Sequence, residues 1–293
     1  MKKITILGAN GFIGSHFANY LLSKNNFKVV LFDLKKNKEF KKNKKMIIGS
    51  ILDEKKLEMA IKKSDYVFNF AALADLNDAR EKPLETALIN VVGTIKALIA
   101  CRKFNIKKFI HASSIYANSE QGGFYGSSKK AAEDYIEKFQ KKYKLKFTIL
   151  RFGSLYGNGA DKNNGINIII DHAIKSNTLL YRGNKKSARR YIHVSDACKA
   201  CEMAIKKEHD NKYLNVTGKN KIRISNVLNM LSIVTKIPKN KIVYKNYINE
   251  GHYINEPKKF IPRQGTNLYL KKYKNFKEGI FEQYLERKKK FVL

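Results

Sequence analysis

The stretch Lys3-Ile4-Thr5-Ile6-Leu7-Gly8-Ala9-Asn10-Gly11-Phe12-Ile13-Gly14 decides the fold. Three consecutive β-branched residues make a short apolar strand, and the glycines turn it sharply. Beyond the turn, Phe12, Ile13, Phe17, Tyr20, Leu21 and Leu22 recur at helical spacing. Strand, glycine turn and helix together are the context in which such glycines cradle a diphosphate. Gly8 allows the tight turn, Gly11 lets backbone approach a pyrophosphate, and Gly14 lets the helix pack closely on the sheet. The helix N-terminus then faces the phosphates. Asn10, Phe12 and Ile13 join the glycines as candidate cofactor-binding residues.

Working outward, a second strand over Phe27–Phe32 ends at Asp33, 19 residues past Gly14. A carboxylate there accepts bonds from adenosine ribose hydroxyls and repels a 2′-phosphate, so NAD is favoured over NADP. Lys35 and Lys36 follow directly and weaken that preference. Met46 to Asp53 reads as a third strand and its exit loop, with Ile51, Leu52 and Asp53 at the cofactor end. Asp53 either reaches the adenine or caps the helix that starts at Glu54. A fourth strand over Tyr66–Phe70 runs into Ala71-Ala72, so Phe70, Ala71 and Ala72 are further cofactor candidates. Asn90 lies in an otherwise apolar helix predicted over 83–104, where a buried amide needs a partner.

A fifth strand, Lys107–Ala112, ends in Ser113-Ser114-Ile115-Tyr116. Tyr125 and Lys129 come next, four residues apart and on one face of a helix predicted to run to about Lys142. An ammonium beside a phenol lowers its pKa, and a phenolate serves as general base toward a hydroxyl. A sixth strand, Lys146–Leu150, closes with Arg151. Alternation of six strands with helices predicts an α/β fold built on a doubly wound parallel sheet of Rossmann type. Ligands of such sheets bind at the carboxyl ends of the strands, where the glycine turn, Asp33, Asp53, Ala71, Ser114 and Arg151 all fall.

Composition bounds the rest. The 293 residues suffice for a large core, and no apolar run is expected to approach the ~20 residues of a membrane span. The amino terminus is too short in its apolar part for a secretory signal, and the cytoplasm is the expected compartment. Three cysteines make an unsuitable disulfide framework. Cys198-x-x-Cys201 reads as a buried helix pair, since no second ligand pair completes a zinc site and no metal is expected. The formal net charge of +34 comes from lysines dispersed along the chain, as in 35–45 and 236–245. That dispersion describes a solvated surface, with neither nucleic acid nor membrane as a partner, and its field favours a diphosphate-bearing substrate.

Gly8-x-x-Gly11-x-x-Gly14, Asp33, the Ala71-Ala72 strand end, Asn90-Val91-Val92-Gly93-Thr94, Ser113-Ser114-Ile115-Tyr116 and Tyr125-x-x-x-Lys129 occur in the order of a known family. The chain resembles the extended short-chain dehydrogenase/reductases, specifically the NAD-dependent epimerase/dehydratase group acting on nucleotide sugars. Arg189-Arg190-Tyr191-Ile192-His193-Val194-Ser195-Asp196 is similar to the group's Arg-Asp-Phe-Ile-His-Val-Asp-Asp element. Coverage is nearly complete to about Val234 and loose beyond.

The resemblance implies Tyr125 as general base, Lys129 as its partner and a ligand of the nicotinamide ribose, and Ser114 on the reacting hydroxyl. It implies Arg189 at the substrate diphosphate, where a guanidinium fork suits anionic oxygens, and places Asn163 and Tyr181 in the substrate region. Ser113 stays a rival to Ser114, because the segment between this serine and the following tyrosine is shorter than usual. No Asp-Glu pair follows Ser114, which argues against 4,6-dehydration. Asn158 stands where the group often has proline.

The expected arrangement is an NAD-binding Rossmann domain at 1–157 plus about 191–219, with a smaller C-terminal substrate-binding lobe at about 158–190 plus 220–293. The segment Gly159–Gly165 is expected to be a mobile loop, and the final lysine-rich helix a cover on the lobe. The expected activity is epimerisation of a nucleoside-diphosphate sugar through transient oxidation at C4, by a homodimer paired through the helices at 83–104 and 127–142. A one-way 4-dehydrogenase or 4-ketoreductase is the alternative. A non-catalytic dinucleotide- or nucleic-acid-binding protein would need none of Ser114, Tyr125 and Lys129 together.

Overall fold

A computed structural model describes residues 1–35, 46–245 and 265–292. Lys36, the lysines of 37–45, Pro257, Pro262 and Arg263 lie outside the described residues. Strand β1 (Lys2–Leu7) enters the glycine turn and α1 (Phe12–Ser23) leaves it, followed by β2 (Phe27–Asp33), β3 (Met46–Ile48), α2 (Glu54–Ile61) and β4 (Tyr66–Asn69). Next come α3 (Leu76–Glu81), α4 (Pro83–Ala87), α5 (Gly93–Lys103), β5 (Lys108–Ser114), α6 (Gly123–Tyr143), β6 (Phe147–Phe152) and β7 (Ser154–Tyr156). The remainder is α7 (Gly165–Ser176), β8 (Leu179–Arg182), β9 (Ala188–Arg189), β10 (Tyr191–His193), α8 (Val194–Met203), β11 (Lys212–Val216), β12 (Ile222–Arg223), α9 (Ile224–Thr235), β13 (Ile242–Lys245), β14 (Thr266–Asn267) and α10 (Phe276–Val292).

The main sheet has eight strands in the order β14-β11-β6-β5-β4-β1-β2-β3, paired in parallel throughout. From β1 the chain builds outward through β2 and β3, then crosses to β4 and builds the other way. That reversal beside β1 makes a crevice at the strand ends, and the glycine turn opens into it. Buried on both sides, the strands read as apolar runs rather than alternating ones. One face is covered by Phe17, Ala18 and Leu21 of α1 with Ala197, Cys198 and Cys201 of α8. The other is covered by Leu57 and Ile61 of α2, Ala97 and Leu98 of α5, and Ile136 of α6. Cys198 and Cys201 are thus core residues, their thiols pushed up by burial, Cys198 to about 12. A third cluster joins Ile166 and Ile170 of α7, Val227, Leu228 and Leu231 of α9, and Ile280 of α10.

The helix expected over 83–104 is present as one continuous run from Pro83 to Lys103, with a π-helical turn inside it. Lys82 breaks the helical path at φ −127°, Pro83 restarts it at the first position of α4, and Leu88–Val92 form a π-helical turn before α5. Pro83–Lys103 is also long and apolar enough, by length and composition, to cross a membrane, against the expectation that no run would be. Here Ala97, Leu98, Ala100 and Cys101 bury one side of it in the core, while Leu84, Leu88 and Ile99 stay exposed on the other.

Candidate active site

Strand β5 and helix α6 bring the central groups together. Ser114 ends β5 in extended conformation, and its Oγ accepts the Tyr116 N–H at 3.2 Å, capping the short 3₁₀ turn Ile115–Asn118. The same hydroxyl lies close enough to the Tyr125 phenol to act on its ionisation. Tyr116 packs edge-on against Tyr125 at 6.4 Å between ring centroids, so the shortened segment after Ser114 wraps the phenol. Lys129, 3% exposed, donates from Nζ to the Ala112 carbonyl at 2.8 Å, with Nζ 5.7 Å from the Tyr125 ring centroid.

The electrostatics depart from the expectation for this pair. Burial pushes the Tyr125 phenol up to about 12, with the Ser114 hydroxyl acting the other way. Burial also pulls Lys129 down to about 8, with Glu133 acting the other way. At both groups desolvation is the larger influence.

Ser113 is placed elsewhere. Successive strand residues point to opposite sides, and the Ser113 hydroxyl donates to Glu133 Oε1 at 2.5 Å. Arg151 holds the same carboxylate with a fork, Nε to Oε1 at 3.0 Å and Nη2 to Oε2 at 2.6 Å. Both Arg151 and Glu133 are 1% exposed, and Tyr213 covers the guanidinium at 4.5 Å. Arg151 therefore clasps α6 to β6 and does not open into the crevice. Between Ser113 and Ser114, the structure brings Ser114 to Tyr125.

The glycine cradle is built closely. Gly8 lies at φ +77°, where a side chain is strained, and a Cβ there would sit 2.5 Å from the Ala71 nitrogen. On Gly14 it would sit 2.0 Å from the Gly8 carbonyl oxygen, while on Gly11 the nearest atom is 3.4 Å away. Gly8 and Gly14 are thus required by packing, whereas Gly11 is exposed and leaves its approach open. Asp33 is oriented by two backbone donors, Asn10 N–H at 2.8 Å and Leu34 N–H at 2.7 Å. Asn10 Nδ2 donates to the Lys35 carbonyl, and its buried Oδ1 has no partner among the described residues. An open glycine approach, a carboxylate fixed at the end of β2 and a waiting acceptor fit a dinucleotide with free ribose hydroxyls. Phe12 and Ile13 open α1, Phe70 stacks on Phe68 at 5.9 Å, and Ala71 and Ala72 are half-buried beside the turn.

Other candidates are placed differently. Asp53 caps α2, accepting the Lys56 N–H at 3.1 Å, and Ile51 fills the space beside Gly93, with Leu52 half-buried next to it. Asn90, at the centre of the π-helical turn, is not free for a ligand. Its Oδ1 accepts the Leu73 N–H at 2.8 Å, and its Nδ2 donates to the Leu73 carbonyl at 3.0 Å and to Ser128 Oγ at 2.9 Å. It ties the exit of β4 to α6. Arg189 is half-buried on β9, opposite Ile222 of β12. Tyr181 on β8 is half-buried against Gly183, and Asn163 is exposed between β7 and α7.

The residue-by-residue reading missed a buried polar row beneath the site. Asn69 at the end of β4 receives the Ala71 N–H at 3.2 Å and donates to Thr94 Oγ1 at 3.2 Å. His111 lies beside it on β5, fully buried and held well below the ordinary histidine pKa by burial and by Lys129. Their signal was available: Asn69, His111 and Glu133 are polar residues inside apolar periodic runs.

A parallel α/β sheet with a glycine cradle after β1 and a Ser-Tyr-Lys cluster after β5 defines a dinucleotide-dependent enzyme of the short-chain dehydrogenase/reductase type. Residues 4–217 match the NAD dependent epimerase/dehydratase family, and the chain belongs to it. Among curated relatives, a putative UDP-glucose 4-epimerase of Methanocaldococcus jannaschii is 30% identical over 74% of this chain and 77% of its own length. A dTDP-D-glucose 4,6-dehydratase of Dictyostelium discoideum is 26% identical over 74% of this chain and 58% of its own. The fold is shared with UDP-glucose 4-epimerase of Thermotoga maritima, solved with UDP-glucose, at a TM-score of 0.83, 24% identity and 99% coverage of both chains. It is shared too with UDP-N-acetylglucosamine 4-epimerase of Methanobrevibacter ruminantium, at a TM-score of 0.84, 24% identity and 99% coverage of both.

Proposed function

We propose that the protein is an NAD-dependent epimerase of a nucleoside-diphosphate sugar, acting by transient oxidation at C4. The observation that carries this is the Tyr125 phenol set between Ser114 at the end of β5 and Lys129 one turn along α6, at the same end of the sheet as the glycine cradle. Gly8, Gly11 and Gly14 would hold the diphosphate of NAD, and Asp33 and Asn10 its adenosine ribose. Bound there, NAD would supply the hydride acceptor. Tyr125 Oη takes the C4 hydroxyl proton and later returns it, Ser114 orients the reacting oxygen, and Lys129 holds its ammonium on the Ala112 carbonyl next to the phenol. Arg189, Asn163 and Tyr181 are assigned to the sugar nucleotide.

Two features favour epimerisation over dehydration. Ser114 is followed by Ile115 and Tyr116, which supply no carboxylate for proton transfer during water loss. The buried carboxylate nearest in sequence to Lys129, Glu133, is committed to Arg151 and Ser113. A relative that is 30% identical and named as a putative UDP-glucose 4-epimerase supports the same reading. We further propose that the protein is a homodimer working in the cytoplasm.

The test is turnover of UDP-glucose and UDP-N-acetylglucosamine with only catalytic NAD, and the same assay on Tyr125→Phe. Interconversion of the C4 epimers without external cofactor is expected, with a loss of at least about 10³-fold in the variant. Dependence on stoichiometric cofactor would replace the epimerase with a one-way 4-dehydrogenase or 4-ketoreductase. Undiminished turnover by Tyr125→Phe would remove Tyr125 from the chemistry.

A further inference from the structure

The segment between β7 and α7, which contains the Gly159–Gly165 stretch expected to be mobile, is tied down at successive backbone groups of 157–161 by side chains from three separate elements. Gly157 N–H donates to Gln283 Oε1 of α10 at 2.9 Å. The Asn158 carbonyl accepts from His16 Nε2 of α1 at 2.8 Å. Gly159 N–H donates to Glu286 Oε2 of α10 at 3.0 Å. The carbonyls of Ala160 and Asp161 both accept from Asn167 Nδ2 of α7, at 2.9 and 2.8 Å. Gln283 closes the set by donating from Nε2 to Asn167 Oδ1.

Two members of this set are buried amides with both ends in use. Gln283 is 0% exposed and Asn167 is 1% exposed. Burying an amide is costly unless it is fully paired, so at Gln283 the buried face of α10, apolar at Ile280, is given over to these bonds. A second tie, Arg287 Nε to Asp171 Oδ1 at 2.7 Å, fixes α10 to α7 independently of the loop. Anchoring of the helix therefore does not rest on Gln283 alone. The loop itself follows the strand ends and rests through Asn158 on His16, one turn into the helix that opens at the glycine cradle.

We propose that Gln283 and Asn167 are positioning residues of the substrate site: through them the terminal helix sets the path of the 157–161 backbone over α1, and so the wall against which the nucleotide diphosphate of the sugar substrate rests. The proposal rests on the nucleotide-sugar reading above and adds to it the part of the molecule that shapes the site. In this arrangement α10 is a piece of the binding machinery, although it supplies no group to the reacting atoms.

The test compares wild type with Gln283→Met, close in length and unable to pair, and with Glu286→Ala, a milder cut at the partly exposed Gly159 tie. UDP affinity is measured by calorimetry on the NAD-loaded protein, KM and kcat with UDP-glucose, and amide hydrogen exchange at 157–161 by mass spectrometry. For Gln283→Met the expected result is about ten-fold weaker UDP binding and a matching rise in KM. Its kcat should stay within about three-fold, its NAD content should be unchanged, and exchange should be faster at 157–161. Glu286→Ala should move exchange and UDP affinity in the same direction by less. Folded variants with wild-type UDP affinity and exchange overturn the proposal. If Gln283→Met does not fold, Glu286→Ala decides alone by the same criteria. UDP affinity and exchange are read without turnover, so a wild type that binds UDP but epimerises no sugar would sink the epimerase reading and leave this one standing. A wild type that binds no UDP would sink both.

Discussion

At the scale of single residues, the balance at Lys129 is set by enclosure. Its ammonium is 3% exposed with one carbonyl partner, Ala112, at 2.8 Å. The charged groups around it are Glu133 one turn along α6, Arg151 of β6 behind Glu133, and His111 of β5, which is held neutral. Burial leaves Lys129 titrating at about 8, against 10.5 for the free side chain. Between those values the unfolded chain binds a proton that the folded protein has released, so this group makes stability rise as pH climbs through that window. Below about 8 both states are protonated and the cost of burying the charge is fully felt. Tyr125 acts oppositely but only above 10, because its phenol is raised to about 12. Urea unfolding of wild type and Lys129→Met at pH 7.5 and 9.5 isolates the effect. Wild type should gain on the order of 2 kcal/mol relative to the variant across that interval. Equal pH dependence in the two proteins would show that Lys129 keeps an ordinary pKa. The Tyr125→Phe and Gln283→Met tests act at this same scale.

At the scale of elements, the site is held by a clasp between β5, α6 and β6. Ser113, Glu133 and Arg151 meet between the sheet and α6, and each hydrogen bond in the clasp also fixes how far α6 stands from β5. Glu133→Gln leaves a buried guanidinium without its counter-charge, which should cost about 3–5 kcal/mol. Replacing both partners, Glu133→Leu with Arg151→Met, should cost markedly less, since no unpaired charge remains. Urea denaturation checks the ordering, and a single variant as stable as the double would show that the pair is not coupled. These elements also mark what the sequence made legible. The glycine turn, Asp33 and the strand-helix alternation were readable because each depends on local spacing, and the close approach of Gly8 and Gly14 bears that reading out. The choice between Ser113 and Ser114 was not readable, because it turns on which side chain α6 presents to each side of β5. The role of Asn90 needed its contact with Ser128, and the tethered 157–161 loop needed Gln283, more than a hundred residues away. The raised phenol of Tyr125 needed the burial that only the assembled fold creates.

At the scale of the whole molecule, the α4–α5 run and α6 cover the same face of the sheet and leave large apolar side chains turned outward. Leu84 is 72% exposed, Ile99 51%, Phe124 54% and Tyr135 45%. An exposed apolar surface of this kind is characteristic of an interface, and its proposed occupant is a second copy of the chain, as the family resemblance also implies. The chain's net charge of +34 opposes that association through long-range repulsion, while burial of the apolar patch favours it. Salt screens the first and leaves the second nearly intact. Dimerisation is therefore expected to strengthen, not weaken, from low to moderate ionic strength. Because α6 begins with Tyr125 and Lys129, a partner packed on its outer face would also stiffen the catalytic end of the helix. Leu88→Lys with Ile99→Lys should convert the dimer to a monomer in sedimentation experiments and lower kcat without emptying the protein of NAD. A wild type that sediments as a monomer at micromolar concentration in moderate salt would refute the pairing. A double variant that remains dimeric would place the interface on another surface.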